Sequence, residues 1–393
     1  MHQVNQYVIK PLTQNLKQLP GVSYALSKNL ATGGLRCAGF LSHAWNEGVY
    51  ELAENVLKAW PDDVEGVYFC CLSNPQNLDI SALLNHKDGS PFARVLCPPT
   101  EAEVPKPTTM IMVANRNTPI HSRLWCVLEA YKASENQLER LWIQGSATQL
   151  ITGAEGEQLK QEELAAKAES VKLEQLALAA YRRSLRETSS EAKTEAEEFR
   201  KKVVQQSEET KEKESRMLLG ILLKPDEELI DLAAAACSEE ADTTRIRNEI
   251  KGQEAAITQL IAKLIRDNVC GADLRGGAGG TYVDGPLGKL PLEPPDATLS
   301  LKGKDLSRAS HVLQLVSWVR SGPKATRLDL QGTKLGKLAE AWPVLAASLS
   351  HMGTLGGAVI TEVDLSRCDI DPTVAQAIAN TLASGSASLT KIS

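Results

Sequence analysis

Two short segments bring together side chains whose types and spacing could do chemistry. Residues 40–47 read FLSHAWNE, and residues 122–129 read SRLWCVLE. His43 and Glu47 lie four residues apart, as some metal ligands do, but no second pair of ligands completes a zinc-like set. A capping or loop-ordering role for His43 is the simpler interpretation. Cys126 has only His121 near it in the sequence, which argues against a thiol enzyme at that position.

These segments lie in a part of the chain, residues 35–150, where apolar runs typical of strands alternate with helical runs. The predicted strands are residues 35–42, 64–73, 108–115 and 139–146, and the predicted helices are residues 48–60 and 122–134. Strands that alternate with helices pair in parallel, and helices cover both faces of the sheet. The sequence therefore predicts an α/β domain over residues 35–150.

The candidate site residues lie where the predicted strands end. Ser42, His43 and Trp45 come at the end of the first strand, Asn74 and Asn77 follow the second, and Asn115 follows the third. The ligand crevice of a parallel sheet lies outside the carboxyl ends of its strands. Glu129 lies on the second turn of a helix that starts beyond that same edge. We therefore expect Glu129 to face a crevice that it shares with Ser42, Trp45 and the loop from Asn74 to Asn77.

The two segments resemble the TIR (Toll/interleukin-1 receptor) domain family. Members of that family commonly open with a strand that ends in F-[IL]-S-H, followed by a small residue and an acid. They carry S-x-W-C-x-x-E on a later helix. Here Glu47 stands in place of the more usual aspartate, and Ser122 is displaced by one residue. Trp125, Cys126 and Glu129 keep their mutual spacing.

The resemblance covers about residues 35–146 and implies a flavodoxin-like sheet of about five parallel strands. Some TIR domains cleave NAD at the nicotinamide glycosidic bond with a helix glutamate, and Glu129 matches that position. Loss of nicotinamide leaves a cation like an oxocarbenium ion, which a carboxylate can stabilise while it holds the ribose hydroxyls. On this hypothesis NAD is the substrate and no cofactor is needed. Trp45 is then the candidate to stack on a flat base, and Trp125 is assigned to the core.

A second hypothesis stays open, because many TIR domains are non-catalytic adaptors that bind other TIR domains. A single glutamate on an amphipathic helix is usually solvated or ion-paired. The loop at residues 74–77 lacks the Gly-Pro tip that many members have, which argues against conventional docking through this loop. Substitution of Glu129 separates the two hypotheses, since an enzyme loses turnover whereas an adaptor keeps its partners.

The segments that flank this domain are predicted to be helical. Residues 1–34 are expected to form one amphipathic helix before a Gly-Gly break. Residues 151–224 are dominated by Glu, Lys, Ala, Gln and Leu, which indicates a charged helical insertion or stalk, with a coiled coil as the alternative. Residues 190–216 lack an apolar stripe, so we expect a poorly packed helix there. Residues 225–268 are expected to complete the α/β domain with one helix over residues 246–265.

The C-terminal part contains an internal repeat behind a Gly- and Pro-rich linker at residues 269–295. The repeat reads ATLSLKGKDL at 297–306, TRLDLQGTKL at 326–335 and TEVDLSRCDI at 361–370. This pattern resembles leucine-rich repeats of the ribonuclease-inhibitor type, which implies parallel neighbouring strands and a protein partner for residues 296–393. Residues 388–393 read as the start of a fourth strand, so we expect a truncated array.

Composition narrows the class of protein. The 393 residues are 42% hydrophobic and carry a net charge of −6, which argues against a general nucleic-acid binder. No apolar run approaches the roughly 18 residues of a membrane span. The eight cysteines are scattered without a CxxC pair, which indicates buried thiols and a reducing, cytoplasmic location. Cys70 and Cys71 lie in a predicted strand and are interpreted as packing residues.

Overall fold

The computed structural model describes residues 1–14, 22–84, 89–99, 105–151, 153–186, 190–270, 282–321, 323–334, 342–351, 360–368, 370, 372–383 and 391–392. Two compact units divide the chain. The first consists mainly of Met1–Thr152 and Pro225–Val269, and the second mainly of Gly153–Lys224 and Thr281–Ser393. The long charged segment is thus grouped with the C-terminal repeats.

The strands and helices are as follows. The strands are β1 (Gly39–His43), β2 (Val67–Phe69), β3 (Thr109–Val113), β4 (Arg140–Gln144), β5 (Tyr282–Val283), β6 (Leu290–Pro291), β7 (Thr298–Ser300), β8 (Arg327–Asp329), β9 (Glu362–Asp364) and β10 (Lys391–Ile392). The α-helices are α1 (His2–Val4), α2 (Lys10–Gln14), α3 (Tyr24–Asn29), α4 (Val49–Ala59), α5 (Cys70–Ser73), α6 (Ile80–Leu84), α7 (Pro91–Leu96), α8 (Leu124–Glu135), α9 (Ala147–Leu150), α10 (Gly153–Arg186), α11 (Ser190–Leu222), α12 (Asp226–Leu229), α13 (Glu240–Glu249), α14 (Glu254–Val269), α15 (Ala309–Arg320), α16 (Trp342–His351) and α17 (Pro372–Ala383). A π-helix (Asn5–Ile9) joins α1 to α2, and 3₁₀ turns occur at Leu30–Thr32, Ile120–Ser122 and Pro295–Ala297.

The first unit is built on a parallel sheet in the order β2-β1-β3-β4. All the residues of β1 and β3 are buried, because helices cover both faces of the sheet. The predicted α/β class with parallel strands is confirmed. The described residues place four strands in this sheet, fewer than the expected five or so.

The two faces of the sheet have separate cores. On one face, Leu41 and Ile111 belong to a cluster with Leu52 and Ala59 of α4. On the other face, Phe40 stacks on Tyr68 with the ring centroids 5.0 Å apart. Successive residues of a strand point to opposite faces, so each strand serves both cores in alternation.

Three predicted elements of the first unit differ from the structure. Residues 1–34 are not one helix, because helical turns at His2–Gln14 and Tyr24–Asn29 are separate elements. The second strand ends at Phe69, and Cys70–Ser73 forms a helical turn in which the Ser73 hydroxyl accepts a hydrogen bond from the Phe69 N–H. The helix expected over residues 246–265 is broken before Glu254, where Gly252 adopts a left-handed φ of 84°.

Gly66, which precedes β2, is predicted to be intolerant of any side chain. A Cβ atom at this position would overlap the backbone carbonyl oxygen of Arg36. The Gly66 carbonyl also accepts hydrogen bonds from the Ala38 and Gly39 N–H groups, both at 2.9 Å, so the backbone cannot shift without losing them. We expect Gly66→Ala to lower the free energy of unfolding by about 2 kcal/mol or more, measured by urea denaturation. Gly48→Ala is the control, since its Cβ would meet only ordinary contacts; equal losses in the two variants would contradict this prediction.

The second unit contains a parallel sheet in the order β10-β9-β8-β7. The three copies of the repeat supply β7, β8 and β9, with Leu299 opposite Leu328 and Leu328 opposite Val363. These three side chains are buried, and helices follow the strands in each copy. The expected parallel pairing of the three copies is confirmed, and β10 adds a fourth strand beside β9.

The turn after each repeat strand has the same backbone conformation. Gly303, Gly332 and Arg367 occupy the same position in the three copies, and their φ values are 69°, 68° and 61°. Glycine adopts this left-handed region without steric cost, whereas arginine does not.

The helices α10 and α11 pack against each other, and α11 also packs against α15. An ion pair of 3.0 Å between Lys213 and Glu162 joins the two long helices. The Glu212 carboxylate accepts hydrogen bonds from the backbone N–H groups of Ala309 (2.8 Å) and Ser310 (3.2 Å). Burial opposes ionisation of Glu212, but these N–H groups lower its pKa. The expectation of poor packing over residues 190–216 is therefore wrong near its end, where polar contacts replace the missing apolar stripe.

No helix among the described residues combines the length and the apolar character needed to cross a membrane.

Candidate functional site

Glu129 is held at the interface between helix α8 and strand β1. The helix packs on the sheet through a buried stripe that includes Cys126, Val127 and Ala130. Glu129 shares this stripe and is only 8% exposed. Its Oε2 accepts a hydrogen bond of 2.6 Å from the hydroxyl of Ser42, near the end of the buried strand β1. The structure thus joins the two segments that the sequence singled out.

Burial raises the pKa of Glu129 to about 8, while the hydrogen bond from Ser42 works in the opposite direction. The cause is the loss of water around a carboxyl group in an apolar interface. The group is therefore largely protonated at neutral pH. An approaching cation favours the carboxylate and lowers the pKa, so the charge of Glu129 depends on what occupies the space beside it.

That space is a pocket of about 280 Å³ between α7, α8 and α13. The wall is made by Leu84, Gly89, Ser90, Phe92, Ala93, Leu96, Trp125, Leu128, Glu129, Lys132, Arg245 and Glu249. Phe92 meets Trp125 edge to face, with the ring centroids 4.8 Å apart. The Arg245 guanidinium lies 4.7 Å from the centroid of the Trp125 ring. The pocket wall therefore combines aromatic rings with fixed charges.

The charged side chains of the pocket are positioned by their own contacts. Arg245 donates to the backbone carbonyl of Leu84 (2.7 Å) and to Asp242 (3.1 Å). The Lys132 ammonium pairs with Glu249 at 3.3 Å. Of these charges, the guanidinium and the ammonium suit phosphate or carboxylate groups of a ligand.

The other candidate residues lie elsewhere, and His43 has different partners from those of Ser42. Its Nδ1 lies 2.6 Å from Oε1 of Glu47, and its Nε2 lies 3.1 Å from Sγ of Cys70. Burial alone would lower the pKa of His43, but Cys70 and Glu47 raise it to about 10. Burial raises the pKa of Glu47, although its contact with His43 opposes this.

Trp45 is half-buried and packs against the core cluster of Leu41 and Leu52. Its ring lies beside those of His2 and His43, with centroids at 5.4 and 6.2 Å. Trp45 does not contribute to the pocket wall, whereas Trp125, which the sequence assigned to the core, does. The assignments of the two tryptophans are thus reversed.

The asparagines hold backbone and side chains in place. The Asn74 side chain accepts a hydrogen bond from the Tyr68 hydroxyl (2.8 Å), and Asn77 donates to the Lys10 carbonyl (3.0 Å). The Asn115 side chain accepts from the N–H groups of Asn117 (3.0 Å) and Thr118 (2.9 Å), which forms an Asx turn. Asn74, Asn77 and Asn115 are not in the wall of the Glu129 pocket.

The expected single crevice is absent from the described residues for a simple geometric reason. Ser42 and His43 are adjacent in a strand, so their side chains point to opposite faces of the sheet. Ser42 turns toward α8 and Glu129, whereas His43 turns toward Trp45 and Cys70. A common position at the sheet edge therefore did not imply a common site.

Sequence reasoning missed most of the pocket wall. Trp125 belongs to the segment at residues 122–129. Its position one helical turn before Glu129 indicated that the two side chains could lie on the same side of the helix. Phe92 and Arg245 come from segments far away in the sequence, and no local pattern marks them. Within the part of the chain that the structure describes, no group of three His, Cys, Asp or Glu side chains is arranged to hold a metal ion.

Comparison of the chain with protein-family models, curated proteins and solved structures finds no match.

Proposed function

We propose that the first unit is a TIR-like domain that hydrolyses NAD at the nicotinamide glycosidic bond when it is assembled. The single observation that carries the proposal is that Glu129, the glutamate of the motif, lies in the wall of an aromatic pocket and bonds Ser42 of the other motif segment. The strand order β2-β1-β3-β4 supports a flavodoxin-like sheet, since it matches the first four strands of that topology.

The chemistry suits the groups in the pocket. Phe92 and Trp125 offer an apolar wall for a flat nicotinamide ring. This ring is cationic in NAD, so its entry favours the ionised form of Glu129. As the glycosidic bond breaks, the carboxylate offsets the positive charge that develops on the ribose and accepts hydrogen bonds from its hydroxyls. Water then adds to the ribose carbon, which gives nicotinamide, ADP-ribose and a proton.

The pocket is small for a whole dinucleotide, since common ligand pockets measure about 300–1,000 Å³. We infer that it takes the nicotinamide riboside end of NAD. Arg245 and Lys132, the cations of the wall, are then the groups for the phosphates that follow.

The test is to incubate the purified chain with NAD and to measure free nicotinamide by chromatography. We expect release that rises when the chain is fused to an inducible dimerisation module, because TIR-like domains act in assemblies. Absence of nicotinamide in both states, with the fold intact by circular dichroism, would reject the enzymatic function.

The adaptor function is the second candidate, and one observation favours it. Helix α4 exposes Tyr50 (88%) and Leu57 (77%) to solvent, which gives an apolar surface for another copy of the domain. An adaptor would self-associate without turnover, and Tyr50→Ser would weaken that association.

We propose that the second unit is a short leucine-rich-repeat array of the ribonuclease-inhibitor type that binds a protein partner. The parallel strands of the three repeat copies and the helices between them support this. On the face of the sheet away from the buried Leu299, Leu328 and Val363, polar contacts join neighbouring strands. They are Ser300 to Asp329, Arg327 to Asp364, and Lys391 to Glu362. Such a charged face suits a partner with a polar surface.

A further inference from the structure

Three side chains with complementary chemistry meet on the face of the sheet opposite to Glu129. They are Cys70, His43 and Glu47, joined by contacts of 3.1 Å (Sγ to Nε2) and 2.6 Å (Nδ1 to Oε1). The His43 and Glu47 side chains are almost wholly buried, at 1% and 0% exposure, whereas Cys70 is half-buried. A thiol beside an imidazole whose other nitrogen meets a carboxyl group is the arrangement of a nucleophile, its base and the group that orients the base.

The fold fixes this arrangement through neighbouring strands. His43 ends β1, and Cys70 follows β2 directly, next to Phe69, whose ring meets the His43 ring edge-on at 4.6 Å. Glu47 lies four residues beyond His43, before α4, and its second carboxyl oxygen, Oε2, is buried without a partner among the described residues. Contact with a protonated imidazole offsets part of the cost of burying that carboxyl group.

We propose that Cys70 is a nucleophilic thiol that forms mixed disulfides with small-molecule disulfides, with His43 as the proton acceptor and Glu47 as the positioning residue. The Cys70 thiol passes its proton to Nε2 of His43, and the thiolate attacks one sulfur of the disulfide. A new S–S bond forms as the old one breaks, and the departing thiolate takes the proton from His43. Cys70 is thereby oxidised to a mixed disulfide, and the reagent disulfide is reduced at its other sulfur, which leaves as a thiol.

The other cysteines provide a comparison within the same molecule. Cys37 donates to the Gly39 carbonyl (3.1 Å), and Cys97 accepts from the Asn136 amide (2.7 Å), so neither has a base. Burial raises the pKa of both thiols and of the Cys237 thiol, which keeps them protonated. Cys70, in contrast, has an imidazole nitrogen, Nε2 of His43, 3.1 Å from its sulfur.

Hydrogen bonds tie the loop after α5 to the N-terminal helical segment and to the backbone of Cys70. The Gln76 amide donates to the Cys70 carbonyl (3.1 Å) and accepts from Asn5 (3.1 Å). Asn77 donates to Thr13 at 2.8 Å. Because Cys70 is half-buried, a small disulfide reaches its sulfur more readily than a protein disulfide does.

The experiment is to expose the full chain to glutathione disulfide and to follow each cysteine by peptide mass spectrometry. We expect Cys70 to form the adduct at least about tenfold faster than Cys37, Cys97 and Cys237, which are also half-buried. Equal rates at the four sites, or an adduct at Cys70 slower than at the others, would overturn the proposal.

Two variants separate activation from packing. His43→Gln should lower the rate at Cys70 to that of the other half-buried thiols, and Glu47→Gln should lower it by a smaller factor. If His43 only packed around Cys70, its replacement would expose the thiol and raise the rate. Rates at Cys37 and Cys97 report on the fold of each variant, and Glu47→Gln provides the test if His43→Gln does not fold. An unchanged or higher Cys70 rate in the folded variants contradicts the proposal. This measurement does not depend on nicotinamide release. A negative result for Cys70 therefore leaves the proposed NAD hydrolysis untouched, and the reverse also holds.

Discussion

Replacing Glu129 with glutamine should lower nicotinamide release from NAD by at least about 100-fold, since loss of one group that stabilises transition-state charge costs about that much. Glutamine has nearly the same volume and can still accept the hydrogen bond from Ser42. It cannot become an anion when the ribosyl cation forms. Because the carboxylate also favours entry of the cationic ring, KM should rise as well, but the larger loss should fall on kcat, where the charge on the ribose develops.

The matched control is Glu135→Gln, at the end of the same helix. Glu135 accepts a hydrogen bond from Tyr131 on the exposed side of α8 and does not line the pocket. This variant should retain wild-type turnover. Wild-type release from Glu129→Gln would reject Glu129 as the catalytic residue, and loss of turnover in both variants would indicate damage to the helix instead.

The contribution of Glu129 to the free energy of unfolding should fall as the pH rises from about 4.5 to about 8, and the difference between the wild type and Glu129→Gln isolates this contribution. The pKa of this carboxyl group is about 8 in the folded protein and about 4.5 when solvated. Between these values the folded chain holds a proton that the unfolded chain has lost, so rising pH favours unfolding. Each unit of pKa shift is worth about 1.4 kcal/mol, so the total effect is several kcal/mol.

The measurement is urea denaturation of both proteins at pH 5, 6, 7 and 8. The variant should be similar to the wild type near pH 5 and more stable by several kcal/mol near pH 8. Ser42→Ala is a second variant with a defined direction, because the hydrogen bond from Ser42 lowers the pKa of Glu129. Its loss should raise that pKa further and move the upper end of the window to higher pH. A constant difference between wild type and Glu129→Gln at all four pH values would contradict the buried, protonated state.

The sequence was informative where a local pattern decides the structure. Apolar runs marked β1, β3 and β4, and the run is most continuous at β3, which is buried at every position between helices on both faces of the sheet. The recurrence of Leu299, Leu328 and Val363 at matching places marked the second sheet. The pairing of Ser42 with Glu129 followed from a strand end and a helix start at one edge of the sheet.

The remainder depends on contacts between distant segments. The early end of β2 at Phe69 could not be read from residues 64–73, since the apolar pattern continues through Cys71 and Leu72 while the Ser73 hydroxyl turns the chain. Arg245 enters the pocket from α13, which no spacing relates to α8. The division of Ser42 from His43 was, by contrast, deducible from strand alternation.

The left-handed turn shared by the three repeat copies sets an order of melting in the second unit. In a stack of repeats each copy contacts mainly the copies next to it, so stability varies along the stack. Gly303 and Gly332 adopt the left-handed φ without steric strain. For Arg367 the same φ costs about 1 kcal/mol or more in conformational free energy. The array is therefore weakest around its third copy, and we expect unfolding to begin there and to spread to the strands on either side, β10 and β8.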